Sequence, residues 1–210
     1  MGASLTLAFV CLWVGEGVVA VKTGAISPSL FLYTYAVGGG ARCASHARTR
    51  MATRLRPKVL FVWDFDYTFI LDNSDTFIPA FFNCAAAQSA LTRVTPTQSW
   101  NAMVDDALQV LQRQGHSRSD IERACGHFPY DVETMEIVRR ANARGIPCHI
   151  ISDSNTTFIS SFLRSLPPPS VEFASVETHP TYTDDAGLLR LRPVHAHSCD
   201  LCPVQMCKVR

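Results

Sequence analysis

The segment that most constrains the fold is Lys58-Val59-Leu60-Phe61-Val62-Trp63, bounded by Pro57 and Asp64. It is rich in β-branched and aromatic residues and shows no polar alternation, which predicts a central strand of a parallel sheet buried on both faces. A parallel neighbour requires a crossover, usually helical, and the following residues have that character. Between Thr76 and Gln114 apolar side chains recur at helical spacing: Phe77, Ile78, Phe81 and Phe82, then Trp100, Met103, Val104, Leu108 and Leu111. Asp131 is placed to cap a helix with the stripe Val132, Met135, Ile137, Val138 and Ala141, which Gly145 and Pro147 stop. Cys148-His149-Ile150-Ile151 reads as a second buried strand and residues 171–176 as a third. Strand, helices, strand, helix, strand is the order of an α/β domain. The helical stretch at about 77–128 is too long for one crossover and predicts an inserted helical cap.

Composition narrows the function classes. Nineteen basic residues face 18 acidic ones, so no global positive surface asks for nucleic acid. The balance conceals a split: residues 1–50 hold Lys22, Arg42, Arg48 and Arg50 against Glu16 alone, leaving 15 basic and 17 acidic residues in the body. Residues 1–56 are expected to form a leader and linker outside the fold, with the domain at 57–210. The apolar run Leu5–Val14 is too short to span a bilayer. It has the length of a signal-peptide core, with Val18-Val19-Ala20 as a cleavage site, but its N-terminal flank lacks Lys and Arg. Met1-Gly2 with Thr6 fits a myristoylation pattern, and a translation start at Met51 is a third reading. Cytoplasmic location is the expectation, with targeting by residues 1–20 as the alternative. Cys84, Cys125 and Cys148 lie in apolar or helical surroundings and read as reduced core residues.

The chemistry begins at the end of the first strand, with Asp64-Phe65-Asp66-Tyr67-Thr68. Open α/β sheets bind ligands at the C-terminal ends of their strands, and extended residues two apart point the same way. Two carboxylates so placed can hold a divalent cation through hard oxygens. One can then act as a nucleophile and the other as a proton donor. The second strand leads into Ser152-Asp153-Ser154-Asn155, where a hydroxyl beside a helix N-terminus suits a phosphate oxygen. The bland alternative for that string is a helix cap.

Three strings together resemble the haloacid dehalogenase superfamily, and within it the phosphoethanolamine/phosphocholine and pyridoxal-phosphate phosphatases. They are Asp64-Phe65-Asp66-Tyr67-Thr68-Phe69-Ile70-Leu71-Asp72-Asn73-Ser74-Asp75, then Ile150-Ile151-Ser152-Asp153-Ser154-Asn155, then the stretch from His195 through Cys199, Cys202, Met206 and Cys207 to Lys208. The resemblance implies a Rossmann-like parallel sheet with a helical cap, and an Mg²⁺-dependent phosphatase acting on small phosphomonoesters through an aspartyl-phosphate. It implies Asp64 as nucleophile, Asp66 as acid and base, Ser152 and Lys208 as phosphoryl ligands, and Asp64 with Asp66 as Mg²⁺ ligands. It also implies Asp75 and Asp153 as substrate-selecting positions, where carboxylates suit a cationic leaving group. The family's fourth motif, Gly-Asp-Gly-x-x-Asp, does not occur before Arg210. The last core strand is therefore expected to be missing, through a truncated gene model or as a genuine short product.

His195, His197, Cys199, Cys202 and Cys207 also concentrate soft ligands at zinc-like spacing, and Zn²⁺ on His197, Cys199, Cys202 and Cys207 is the competing metal reading. It belongs to a second hypothesis, an inactive or weakly active fragment that is zinc-stabilised and serves only to bind. His116, His127, His149 and His179 are scattered and read as structural. Asp184 and Asp185 fall in a Thr181–Gly187 hairpin loop. The expected partner is a small phosphorylated metabolite, with neither nucleic acid nor stable membrane insertion.

Overall fold

The computed structural model describes residues 59–92 and 98–193, together with the backbone of three strands nearer the N-terminus. Those strands are β1 (Ala8–Val14), β2 (Gly17–Thr23) and β3 (Leu32–Thr34). The sheet continues through β4 (Val59–Trp63), β5 (Cys148–Asn155) and β6 (Ser175–His179), in the order β3-β2-β1-β4-β5-β6. β4, β5 and β6 are mutually parallel, as the alternation of elements predicts. β1 runs antiparallel to β4, from Val10↔Trp63 to Val14↔Val59. Three segments of the stretch read as a leader thus pair within the sheet. Phe9, Val10, Trp13 and Val14 are strong strand formers, and an unpaired β4 edge is a template for them.

Between β4 and β5 lie α1 (Ser74–Phe81), α2 (Ala85–Thr92), α3 (Trp100–Arg113), α4 (Arg118–Cys125) and α5 (Val132–Ala143). The starts of α1, α3, α4 and α5 each have a local cause. Asn73 Oδ1 accepts from the Thr76 amide at 3.1 Å, and Ser99 Oγ from the Ala102 amide at 3.3 Å. Ser117 and Asp120 form a reciprocal capping box. Asp131 caps α5, accepting from the Glu133 and Thr134 amides at 3.1 and 3.2 Å. Met135, Val138 and Ala141 of that helix are buried, whereas Val132 and Ile137 are exposed. The buried stripe is therefore narrower than the five-residue apolar pattern. Gly145 ends the turn after α5 at φ +67°, a conformation that costs glycine little.

Three strand readings shift. β5 runs on to Asn155, so Ser152 to Asn155 continue the strand that was expected to end at Ile151. β6 starts at Ser175, four residues later than the sequence pattern, and Val171 and Phe173 pack on the core from the loop before it. Among the described side chains of β4 Trp63 is buried, while Leu60, Phe61 and Val62 are half-buried. An apolar run reports compatibility with burial, not its completion.

α6 (Thr156–Ser165) follows β5 directly and delivers Phe158 and Phe162 to the centre of the core. Phe162 is fully buried, with ring centroids 5.7 Å from Phe65, 6.2 Å from Phe69, 5.9 Å from Phe128 and 5.6 Å from Tyr130. A hairpin of β7 (Thr181–Thr183) and β8 (Leu189–Leu191) closes the described part. Its loop is held by Asp184 Oδ1, which accepts from the Ala186 and Leu188 amides at 3.0 and 2.9 Å. Cys84, Cys125 and Cys148 are free and buried, and burial raises the Cys125 and Cys148 thiol pKa values above the ordinary range. Among the described residues no helix is long and apolar enough to cross a membrane.

Candidate active site

The loop after β4 is tightly wound. The Phe65 carbonyl accepts from the Phe69 and Ile70 amides at 2.9 and 3.0 Å, and Tyr67 sits at φ +53° with its amide donating to the Asp72 carbonyl at 3.1 Å. A tyrosine in this left-handed region is strained, since asparagine or glycine would be the ordinary choice. Phe65 and Phe69 are fully buried anchors on either side of Asp66, and they fix the loop from below. Asp64 Oδ1 accepts from the Phe65 amide at 2.7 Å, and Asp66 Oδ1 from the Ser74 amide at 2.8 Å. The parallel register ends at Trp63↔Ile150, so Asp64 and the Ser152-Asp153 tip follow at neighbouring strand ends.

The two motifs meet through a contact that neither string advertises. Ser74 Oγ and Ser154 Oγ are 2.8 Å apart, both fully buried, and join the start of α1 to the end of β5. Ser152 is buried, its Oγ accepting from the Ser154 amide at 3.1 Å. Asn155 caps α6, its Oδ1 accepting from the Phe158 amide at 3.0 Å. The structural role foreseen for this string thus falls to Asn155, with Ser152 and Asp153 lying two residues and one residue before Ser154. Asn73 caps α1, and the Asp75 carboxylate in its first turn is buried with Oδ2 accepting from Trp100 Nε1 at 2.7 Å.

Asp64, Asp66, Asp75 and Asp153 form one electrostatic group. Burial raises the Asp66 pKa to about 7; two hydrogen bonds from Ser74 oppose the rise, and repulsion from Asp153 and Asp64 adds to it. Burial, then repulsion from Asp66, hold Asp75 well above the usual carboxylate range; the Trp100 bond opposes this and Asp153 reinforces it. Burial, then Asp72 and Asp66, raise the Tyr67 phenol, whose ring is still 45% exposed at the rim. Crowded hard oxygens of this kind fit a divalent cation in donor chemistry. In number they fall short: among the described residues no three His, Cys, Asp or Glu groups form a metal site, so water and ligand oxygens would complete the shell.

Several sequence-predicted residues do not enter this picture. Lys208 and the cluster His195, His197, Cys199, Cys202 and Cys207 lie outside the described residues. The four scattered histidines are occupied structurally. His116 packs on Phe82 and His127 on Phe81; His149 Nδ1 is 2.9 Å from Ser175 Oγ, and His179 Nε2 is 3.0 Å from Asn101 Nδ2. Phe69 and Phe77 belong to core packing. A separate polar cleft of about 450 Å³ between α4 and α6, lined by Arg123 and Arg164 among others, contains none of the predicted site residues.

The model of the family described as Putative Phosphatase matches residues 59–210. This chain belongs to that family. The chain is similar to a thiamine phosphate phosphatase-like protein of Arabidopsis thaliana, 33% identical over 160 residues, 72% of this chain and 62% of that protein. The mouse pyridoxal phosphate phosphatase PHOSPHO2 is 34% identical over 156 residues, 72% of this chain and 63% of its own length. Human phosphoethanolamine/phosphocholine phosphatase is 30% identical over 171 residues, covering 80% and 63% respectively. The chain therefore spans 62–63% of the length of these relatives. The family match starts at β4, so the leader strands lie outside it.

Proposed function

We propose that the chain is the nucleophile-bearing part of an Mg²⁺-dependent phosphatase that hydrolyses small-metabolite phosphomonoesters. The observation that carries the reading is the Asp64/Asp66 pair at the end of a parallel strand, with Asp66 held protonatable near neutrality. An Asp64 carboxylate oxygen attacks phosphorus, and the bond from phosphorus to the leaving oxygen breaks. Asp66 gives its proton to that oxygen. Water then attacks the aspartyl-phosphate while Asp66 takes one of its protons, releasing phosphate and restoring Asp64. A carboxyl that titrates near pH 7 suits both steps, because it can hold the proton and take it back. Ser152 and Lys208 would hold the phosphoryl oxygens. The Asp64 carboxylate and the Asp66 main-chain carbonyl would hold Mg²⁺, which neutralises phosphoryl charge when bound.

Asp75 and Asp153 would face the leaving group. Carboxylates there favour an amine or quaternary ammonium, which places phosphoethanolamine and phosphocholine first, with pyridoxal phosphate and thiamine phosphate as the relatives' other substrates. The test is turnover by the purified full chain with Mg²⁺ on these esters and on p-nitrophenyl phosphate. Asp64→Asn is expected to lower kcat by more than about a thousandfold. Absence of Mg²⁺-dependent turnover, or full activity in Asp64→Asn, overturns the reading.

A further inference from the structure

Trp100 lies 25 residues from Asp75 in sequence, in the first turn of α3, and its indole N–H donates to Asp75 Oδ2 at 2.7 Å. That is a short distance for a hydrogen bond from nitrogen to a carboxylate. Asp75 itself is only 5% exposed, on the second residue of α1. The residue before it, Ser74, donates its amide to Asp66 and meets Ser154 across the site. Asp75 is therefore one residue from the amide that Asp66 accepts from.

α3 is an unusually well-held platform for a donor. Asn101, next to Trp100, reaches His179 at the end of β6. One turn on, Asp105 accepts from Arg190 Nη2 and from the Leu191 amide, both at 2.7 Å. Near its end, Gln112 both donates to the Leu189 carbonyl at 3.0 Å and accepts from the Leu189 amide at 2.6 Å. The helix is tied to the parallel sheet at one end and to the β7-β8 hairpin along its length. Its first residue then points an N–H at a buried carboxylate.

We propose that Trp100 is a positioning residue: from the inserted helices it holds Asp75 with one oxygen anchored and the other directed to the cationic end of the leaving group. Selectivity for amines would then be set by α3 and its bracing, while the sheet ends perform the phosphoryl chemistry. The proposal rests on the phosphatase reading for its substrate class. A core role alone would use the indole ring and leave the N–H without consequence. The position of Asp75 requires the N–H.

Trp100→Phe keeps an aromatic ring and removes the donor, and Trp100→His keeps a ring N–H. The ratio of kcat/KM for phosphoethanolamine to that for p-nitrophenyl phosphate is expected to fall about tenfold in Trp100→Phe, mainly through KM for the amine, and to recover partly in Trp100→His. An equal fall for both substrates, or an unchanged ratio, overturns the proposal. A second measurement needs no turnover. The indole N–H resonance of Trp100, assigned by its loss in Trp100→Phe, should move when the full chain is titrated with choline or ethanolamine and stay fixed in Asp75→Asn. A resonance that does not move in wild type overturns the proposal. Wild type that moves the resonance but hydrolyses no phosphomonoester overturns the phosphatase reading instead.

Discussion

Replacing Asp66 by asparagine is expected to make the folded chain more stable at alkaline pH. Burial, with repulsion from Asp153 and Asp64 adding to it against the two Ser74 hydrogen bonds, raises the Asp66 pKa from 3.8 to about 7. The folded state thus binds this proton more tightly than the unfolded state does. Stability from this group is full below pH 3.8, is lost as pH rises toward 7, and above that the ionised carboxylate is a constant penalty. Each tenfold change in proton affinity is about 1.4 kcal/mol, so the penalty at pH 8 is on the order of 4 kcal/mol. Asparagine retains an oxygen for the Ser74 amide but not the second acceptor, which leaves a net gain of about 2–4 kcal/mol. Urea unfolding of the full chain in EDTA at pH 8 should show the midpoint of Asp66→Asn higher by on the order of 1 M or more. At pH 4 the gain should nearly vanish. A variant no more stable at pH 8, or one whose gain is the same at pH 4 and pH 8, refutes the reasoning. Loss of turnover in the same variant would show stability traded for function at this position.

Two further outcomes test the supports of the site. Phe162→Ala removes the ring that touches Phe65, Phe69, Phe128 and Tyr130, and should cost about 3–5 kcal/mol in urea unfolding. Asp105→Ala removes the acceptor of the Leu191 amide, only 13% exposed, and leaves Arg190 with Asp184 as its remaining carboxylate partner, which should cost about 2–4 kcal/mol. Asp105→Asn keeps an acceptor for that amide and should lose about half as much, with faster amide exchange confined to residues 189–191 in the alanine variant.

The elements legible in the sequence are those whose cause is local. The apolar run before Asp64, the Asp131 cap, the turn at Gly145 and the hairpin around Asp184 each depend on a few adjacent residues. The placement of Asp64, Asp66 and Ser152 at neighbouring strands was legible as well, because it follows from the apolar runs that precede them. The burial of Leu60, Phe61 and Val62, the late start of β6 and the pairing of the leader with β4 were not. Each depends on what another element covers.

The same division holds within the site. By itself the sequence determined which carboxylates follow the first parallel strand. Only the tertiary structure decided that Ser74 and Ser154 join the two motifs and that Trp100 reaches Asp75 from α3. Those contacts cross 80 and 25 residues for the serine pair and the indole. They form because the core rings and the Asp105 and Gln112 ties fix where the helices lie, and no residue pattern encodes a distance between elements.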